Sequence, residues 1–206
     1  MAYNNPNMGN PGMRDNPGHG DKEAKLNELC EELDDIASYL YRGVHWHTKA
    51  ANYSRENLIR GFGRWHDAEA KGDFCALQNL EKIAGDKLGH IMTVDMAMVS
   101  KAESYVMPDI NAFKAHFDIW ERNEKEFIDC LNEAIELSRC IDIQIYQELI
   151  CMAKEVQDEI MRACMAKNSL AFGGWSAHDI SMKSMIIHKY FETEHKDGGE
   201  ININLG

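Results

Sequence analysis

Proline is distributed very unevenly along the 206-residue chain, and this feature constrains the fold more than any other. Pro6, Pro11 and Pro17 lie in the first 20 residues, and only Pro108 follows in the rest of the sequence. Proline breaks helices because it lacks an N–H donor and its ring clashes with the preceding turn. The long proline-poor stretch, which also lacks strand-like alternation, therefore predicts an all-α fold. We expect a flexible Asn/Gly/Pro-rich arm over residues 1–21 to precede it.

Apolar residues recur at three- and four-residue steps in four long stretches, as on the inner faces of packed helices. These stretches predict helices over Lys22–Lys49, Ser54–Ala84, the residues that follow Pro108-Asp109 as far as Arg139, and Asp142–Lys167. We expect a turn at Ala50–Tyr53, with Ser54 capping the second helix. The inner face of the fourth helix is predicted to carry Ile145, Leu149, Met152, Val156, Ile160 and Ala163. A long crossover between the second and third helices predicts a ferritin-like four-helix bundle over residues 22–170.

The remaining residues, 171–206, are predicted to form a C-terminal helix and a tail. Gly173 and Gly174 interrupt the helical pattern, and Ser176 can cap a fifth helix. Residues 200–205 then alternate like a short strand or a docking segment.

Charge and composition exclude several classes of protein. The chain has 22 basic and 34 acidic residues, a net charge of −12, which argues against DNA or an anionic membrane as a partner and favours cations. No apolar run approaches the roughly 18 residues that span a bilayer, and the opening residues do not resemble a secretory signal. Six cysteines without a CxxC pair fit a reducing compartment. We therefore expect a cytoplasmic protein.

Glu124 is the clearest polar interruption of an apolar stripe. It lies at helical spacing between Trp120 and Phe127 on the predicted third helix. A carboxylate on an inner face must be paired with a cation or bind a metal ion, because burying its charge alone is costly. Both a salt bridge and a metal site therefore remain open for Glu124.

Further candidate ligands lie on the first two helices. His66, Glu69 and Asp73 follow one another at steps of three and four, so they can face one ion. His47 continues the inner stripe of the first helix, whereas His45 lies roughly 160° away from it. The alternatives are a solvated face for the second helix and a packing or capping role for His47.

The segment His45-Trp46-His47-Thr48-Lys49-Ala50-Ala51-Asn52-Tyr53 resembles the end of the first helix and the following turn of the Dps-like mini-ferritins. Leu80-Glu81-Lys82 is similar to a motif near the end of that family's second helix, and Pro108-Asp109-Ile110-Asn111 to the entry of its third. The resemblance covers about residues 25–166. It implies that His45 and Glu81 bind iron at a site shared between two subunits. The family's helix-two aspartate then falls near His66-Asp67, since Leu77 occupies the position four residues before Glu81.

Two functions follow from these features. The first is a homo-oligomeric, Dps/ferritin-like protein that binds iron ions through His45, His66, Asp67, Glu81 and Glu124, and that oxidises or stores iron if the site is intact. The second is a non-enzymatic assembly protein, such as a shell, particle or scaffold component. It would keep the bundle and grip its neighbours with the arm, the fifth helix and the tail.

Overall fold

The computed structural model describes residues 17–101, residues 113–171 and Ile180. These residues form helices and turns, with no strand among them. The helices are α1 (Pro17–Glu56), α2 (Arg60–Leu88), α3 (Met96–Lys101), α4 (Phe113–Ser138) and α5 (Ile143–Ala171). None of the helices in these ranges is both long and apolar enough to cross a membrane. The prediction of an all-α fold is confirmed.

The four long helices pack in a closed ring. α1 contacts α2 and α4, and α5 contacts the same two helices. Short turns join α1 to α2 and α4 to α5, whereas the connection from α2 to α4 is long and contains the short helix α3, which packs against α1. The predicted order of helices and the long crossover are therefore observed. The predicted fifth helix and tail lie outside the described residues, except that Ile180 is helical and buried.

The first helix is longer at both ends than the sequence predicted. It begins at Pro17 rather than Lys22, because proline is tolerated in the first turn of a helix, where its missing N–H has no partner to lose. Residues 17–21, which were predicted to belong to the arm, are therefore part of the helix. Residues 1–16 lie outside the described residues. The helix also continues through Ala50 and Ala51, which are strong helix formers and are both buried.

The turn between α1 and α2 is therefore not at Ala50–Tyr53 but at residues 57–59. Ser54, which was predicted to cap the second helix, is buried within α1, and its carbonyl accepts a hydrogen bond from the N–H of Ile59 at 2.7 Å. Leu58 has a φ of 62°, the left-handed conformation that lets the chain reverse. A leucine is an uncommon residue for that conformation, so the pattern of residue types gave no sign of this turn.

The start of the crossover is fixed to α1. α2 ends at Leu88 and is capped by Gly89, whose φ of 65° is typical of the residue that closes a helix. Asp34 then accepts three hydrogen bonds, from His90 Nε2 at 2.8 Å and from the N–H and Oγ1 of Thr93 at 2.8 and 2.9 Å. These bonds hold the crossover along the outside of α1.

The core has two parts. The first, which we call the apolar half, contains Leu29, Leu33, Ile36, Leu40, Leu77, Leu80, Phe127, Leu131, Ile145, Leu149 and Val156. The second, which we call the aromatic half, contains Trp46, Phe62, Trp65, Phe117, Trp120, Ala163, Ala166, Leu170 and Ile180. The two halves occupy successive segments of the same four long helices. The polar side chains of greatest interest lie between them.

Candidate metal centre

Each long helix carries a polar side chain near the point where the apolar half gives way to the aromatic half. These side chains are His47 on α1, Glu69 and Asp73 on α2, Glu124 on α4 and Glu159 on α5, and we call them the acidic cluster. The ligand atoms of His47, Glu124 and Glu159 lie within 4.8 Å of one another. This group can hold a metal ion.

Glu159 lies at the centre of the cluster and is buried. One of its oxygens, Oε1, is 3.4 Å from Nε2 of His47. The indole Nε1 of Trp120 donates a 2.7 Å hydrogen bond to the same oxygen. Since Trp120 is itself fully buried, this bond fixes where the carboxylate of Glu159 points.

Glu69 is held from two sides. The indole Nε1 of Trp65 donates a 2.5 Å hydrogen bond to Oε1 of Glu69. Arg162, three residues after Glu159 on α5, places Nη2 3.4 Å from the same oxygen. Arg162 therefore balances part of the negative charge of the cluster, but a guanidinium cannot itself bind a metal ion.

The position of the Asp73 carboxylate depends on a glycine on the facing helix. A Cβ atom built on Gly43 would overlap the carboxylate of Asp73, so any other residue at this point of α1 would push that side chain away. Asp73 and Glu124 also line a cleft at the side of the cluster. The other residues that line it are Tyr39, Arg42, Gly43, Trp46, Asn123 and Phe127.

Burial and mutual repulsion raise the pKa values of three of the carboxyl groups. Burial, followed by the charge of Glu159, raises the pKa of Glu69 to about 7, although Arg162 and His47 oppose this. Burial also raises the pKa of Asp73 and that of Glu124 well above their usual values, and Glu159 and Glu69 add to both shifts. The pKa values are raised first by burial and then by the neighbouring carboxylates, so these groups sit where negative charge is costly.

The pKa values of the buried histidines are shifted in opposite directions. Burial alone would lower the pKa of His47, but the hydrogen bond to Glu159 and its charge outweigh burial and raise it. Burial, and then the charges of His116 and His47, hold the pKa of His66 well below its usual value. Burial lowers the pKa of His116 to about 3. His47 is therefore the histidine whose positive charge the carboxylates of the cluster stabilise.

The structure brings together some of the residues that the sequence indicated. Glu124 belongs to the group that can hold a metal ion, and the prediction that His47 faces inward is confirmed. His66 is buried next to His47, with the two Nδ1 atoms 2.9 Å apart. Glu69 and Asp73 also turn into the cluster, as their spacing allowed.

The other three predicted ligands lie elsewhere in this single chain. His45 is exposed on α1, where its ring meets the edge of Tyr41. Asp67 is exposed and forms an ion pair with Arg55. Glu81 is exposed on α2, beyond the cluster along that helix. None of the three belongs to the group formed within the described part of the chain, and a site shared between subunits, as the resemblance implied, stays a prediction for His45 and Glu81.

Glu159 is a candidate ligand that the sequence pattern did not indicate. It lies seven residues after Met152 and four before Ala163, both buried, so it occupies the inner face of α5. Ile160, which was predicted on this face, does pack against the apolar half, but the step of four from Val156 that selects it passes over the carboxylate at the step of three. His116 was missed for a similar reason, since it lies next to Phe117 in an aromatic stripe.

Comparisons of the chain with protein-family models, with curated proteins and with solved structures find no match. The function is therefore inferred from the site alone.

Proposed function

We propose that the chain is a ferritin-like helical bundle that binds iron at the acidic cluster and oxidises or stores it. One observation carries this proposal: the bundle brings the ligand atoms of His47, Glu124 and Glu159 within 4.8 Å of one another, between the apolar half and the aromatic half of the core. Glu69 and Asp73 interact electrostatically with this group. Several carboxylates held together away from water repel one another, and a bound cation is the usual way to offset that cost.

The donor set fits iron. Carboxylate oxygen and neutral imidazole nitrogen are ligands that Fe(II) accepts, and inward carboxylates from facing helices are the pattern of iron-binding bundles. Such bundles also carry a histidine three residues after a glutamate, whereas here Arg162 follows Glu159 at that distance. Because arginine removes one ligand and adds a positive charge, we expect one iron ion per chain, held by His47, Glu124 and Glu159.

The protein residues have separate parts in this function. His47 supplies an imidazole nitrogen, while Glu124 and Glu159 supply charged oxygens. Iron bound there supplies one-electron chemistry between Fe(II) and Fe(III), with dioxygen as the electron acceptor. Where Glu69 and Asp73 give up their protons beside a bound cation, their negative charge favours the ferric ion, because the more highly charged cation gains more from nearby carboxylates.

The mini-ferritin resemblance predicts a different location for iron, at an interface between two copies that includes His45 and Glu81. The two locations can be separated, since His45 and His47 lie two residues apart on α1 and one is exposed while the other is buried. A site inside the bundle requires His47. A site between subunits requires His45 and a homo-oligomer.

The test is the iron content of the metal-free full chain after anaerobic addition of Fe(II) and removal of the excess. We expect about one iron per chain, a sharp loss in His47→Ala and in Glu124→Gln, and no loss in His45→Ala. Admission of air should then produce the near-ultraviolet absorbance of ferric carboxylate species. Oligomer mass is measured on every variant, so that a loss of assembly is not read as a loss of a ligand.

Two results would overturn the proposal. Full iron binding by His47→Ala together with its loss in His45→Ala would place the metal between subunits instead. No binding of Fe(II), Mn(II) or Zn(II) by the unmodified chain would leave the cluster as a proton-sharing part of the core and favour the assembly function.

A further inference from the structure

Two buried histidines next to the cluster are not needed as metal ligands. His66 on α2 and His116 on α4 are both buried in the aromatic half. Nε2 of His116 is 3.0 Å from Nε2 of His66, and Nδ1 of His66 is 2.9 Å from Nδ1 of His47. Nε2 of His47 is in turn 3.4 Å from Glu159. Three imidazoles from three helices thus form a continuous chain that ends on the acidic cluster.

Aromatic rings hold this chain in place. Trp46 stacks on His116 with 4.6 Å between ring centres and an angle of 5°. Trp120 lies 4.8 Å from His66 and 5.2 Å from His47. Packed in this way, the three rings keep their order and their nitrogen-to-nitrogen contacts.

The hydrogen bonds in the chain depend on one another. A neutral imidazole donates from one nitrogen and accepts at the other, so each contact between two rings needs a donor on one side only. If His47 donates from Nε2 to Glu159, its Nδ1 accepts from Nδ1 of His66. Nε2 of His66 then accepts from Nε2 of His116. One choice at His47 therefore sets the tautomers of the other two.

A metal ion on Nε2 of His47 requires the opposite choice. Its proton must then be on Nδ1, which donates to His66, and His66 donates from Nε2 to His116. We propose that His66 and His116 are positioning residues that set the tautomer of His47, and that a metal ion bound to His47 reverses the hydrogen bonds of all three histidines. This inference rests on the proposed metal site. It adds a path by which metal binding at His47 changes a hydrogen bond near the start of α4.

The reversal is balanced by the exchange of one proton in each direction with water. The metal ion displaces the proton on Nε2 of His47, which is released to water, and the proton on Nδ1 of His66 passes to Nδ1 of His47. The proton on Nε2 of His116 passes to Nε2 of His66, while Nδ1 of His116 takes up one proton from water. Each ring loses one N–H bond and gains one, so each ring is neutral before and after, and Glu159 remains a carboxylate that can bind the metal ion.

The experiment measures the tautomer of each histidine by ¹⁵N NMR on the full chain labelled with ¹⁵N-histidine. The metal-free protein is studied at alkaline pH, because Glu159 raises the pKa of His47 and the ring must be neutral. We expect protons on Nε2 of His47, Nδ1 of His66 and Nε2 of His116. Addition of Zn(II), which is diamagnetic and inert to oxidation, should move all three to the other nitrogen.

The outcomes separate this inference from the metal proposal. Zinc bound to His47 with unchanged tautomers at His66 and His116 would overturn the inference and leave the metal site intact. Failure of zinc to bind would count against the metal site, and the three metal-free tautomers would then decide whether the chain is ordered. A mixture of tautomers at His66 would show that it is not.

A pair of variants tests the positioning role by zinc affinity. His66→Phe removes the partner of His47 Nδ1 and should weaken zinc binding about 10–100-fold, as loss of an outer hydrogen bond to a ligand histidine does. His66→Gln should restore part of that affinity, because an amide oxygen can accept from His47. His90→Gln, which removes a histidine in the crossover after α2 that is hydrogen-bonded to Asp34, is the matched control and should bind zinc normally. If folded His66→Phe binds zinc as tightly as the unmodified chain, the positioning role of His66 is overturned. If that variant does not fold, the tautomers measured by NMR decide whether His66 has this role.

Discussion

The two halves of the core are built from the same four helices but have different chemistry. In the apolar half, Leu33 and Leu149 are fully buried among aliphatic neighbours. In the aromatic half, Trp46 and Trp120 surround buried histidines, and Trp120 donates a hydrogen bond to a buried carboxylate. The apolar half gains stability from every contact, whereas the aromatic half includes polar groups whose burial has a cost.

This difference indicates where stability and function reside. Aliphatic packing needs only the right size and shape, and it tolerates no unmatched charge. Large aromatic rings can enclose polar groups because the indole N–H is an additional donor, which Trp65 and Trp120 both use toward glutamates. We infer that the apolar half holds the helices together and that the other half holds the site in place.

The largest expected effect comes from the apolar half. Leu33→Ala should lower the free energy of unfolding by about 2–5 kcal/mol, because it removes buried methyl groups and leaves a cavity. Iron bound per folded chain should not change, since Leu33 lies on the far side of Leu40 from the cluster. Chemical denaturation and iron content, measured on the same sample, check both statements. A loss of iron from fully folded Leu33→Ala would show that the halves are not separable.

The next effect concerns pH and Glu69. Its pKa is raised from 4.5 to about 7 in the folded chain, so the folded state keeps a proton that the unfolded state has lost in this range. The metal-free protein should therefore be most stable below pH 4.5, as far as this group is concerned, and should lose stability as pH rises to about 7. The loss from Glu69 is at most on the order of 3 kcal/mol. Glu69→Gln should flatten this part of the curve.

A bound metal ion should reverse that dependence. Metal and protons compete for the same carboxylates, so the stability gained from excess Zn(II) should grow as pH rises. Thermal unfolding across pH, with and without zinc, measures both trends. A metal-free chain whose stability rises between pH 4.5 and about 7, and does so equally in Glu69→Gln, would contradict the account of Glu69.

The comparison between halves also explains what the sequence could predict. Helices, their order and the inner position of Glu124 follow from a stripe of apolar residues, and an interruption between Trp120 and Phe127 is easy to see. Glu159 was hidden because Ile160 beside it satisfied the same stripe. The contact between His47 and His66 joins two helices. The pattern of residues along the sequence does not tell which side chains of two different helices lie close together.

Gly43→Ala should have a moderate effect on metal binding and a small effect on stability. The new Cβ meets the end of the Asp73 side chain, which must turn away, while up to ~1 kcal/mol is gained in helix propensity. Iron binding should fall as Asp73 is displaced. Gly72→Ala is the matched control, because nothing lies within 4 Å of its new Cβ, and it should be stabilising with normal iron binding. Equal behaviour of the two variants would show that Asp73 needs no room at Gly43.

The smallest expected effect comes from two aspartates on one helix. Asp67 and Asp73 are both on α2, but Asp67 is exposed and paired with Arg55, whereas Asp73 faces Gly43 in the cluster. Because exposed ion pairs contribute little, Asp67→Asn should change the free energy of unfolding by at most about 1 kcal/mol and leave iron binding intact. Asp73→Asn should weaken iron binding while stabilising the metal-free chain, since it removes one of four crowded carboxylates. The mini-ferritin resemblance predicts the reverse assignment, with Asp67 near iron. Iron titrations of the two variants, with oligomer mass measured alongside, therefore decide which aspartate on α2 belongs to the proposed metal site.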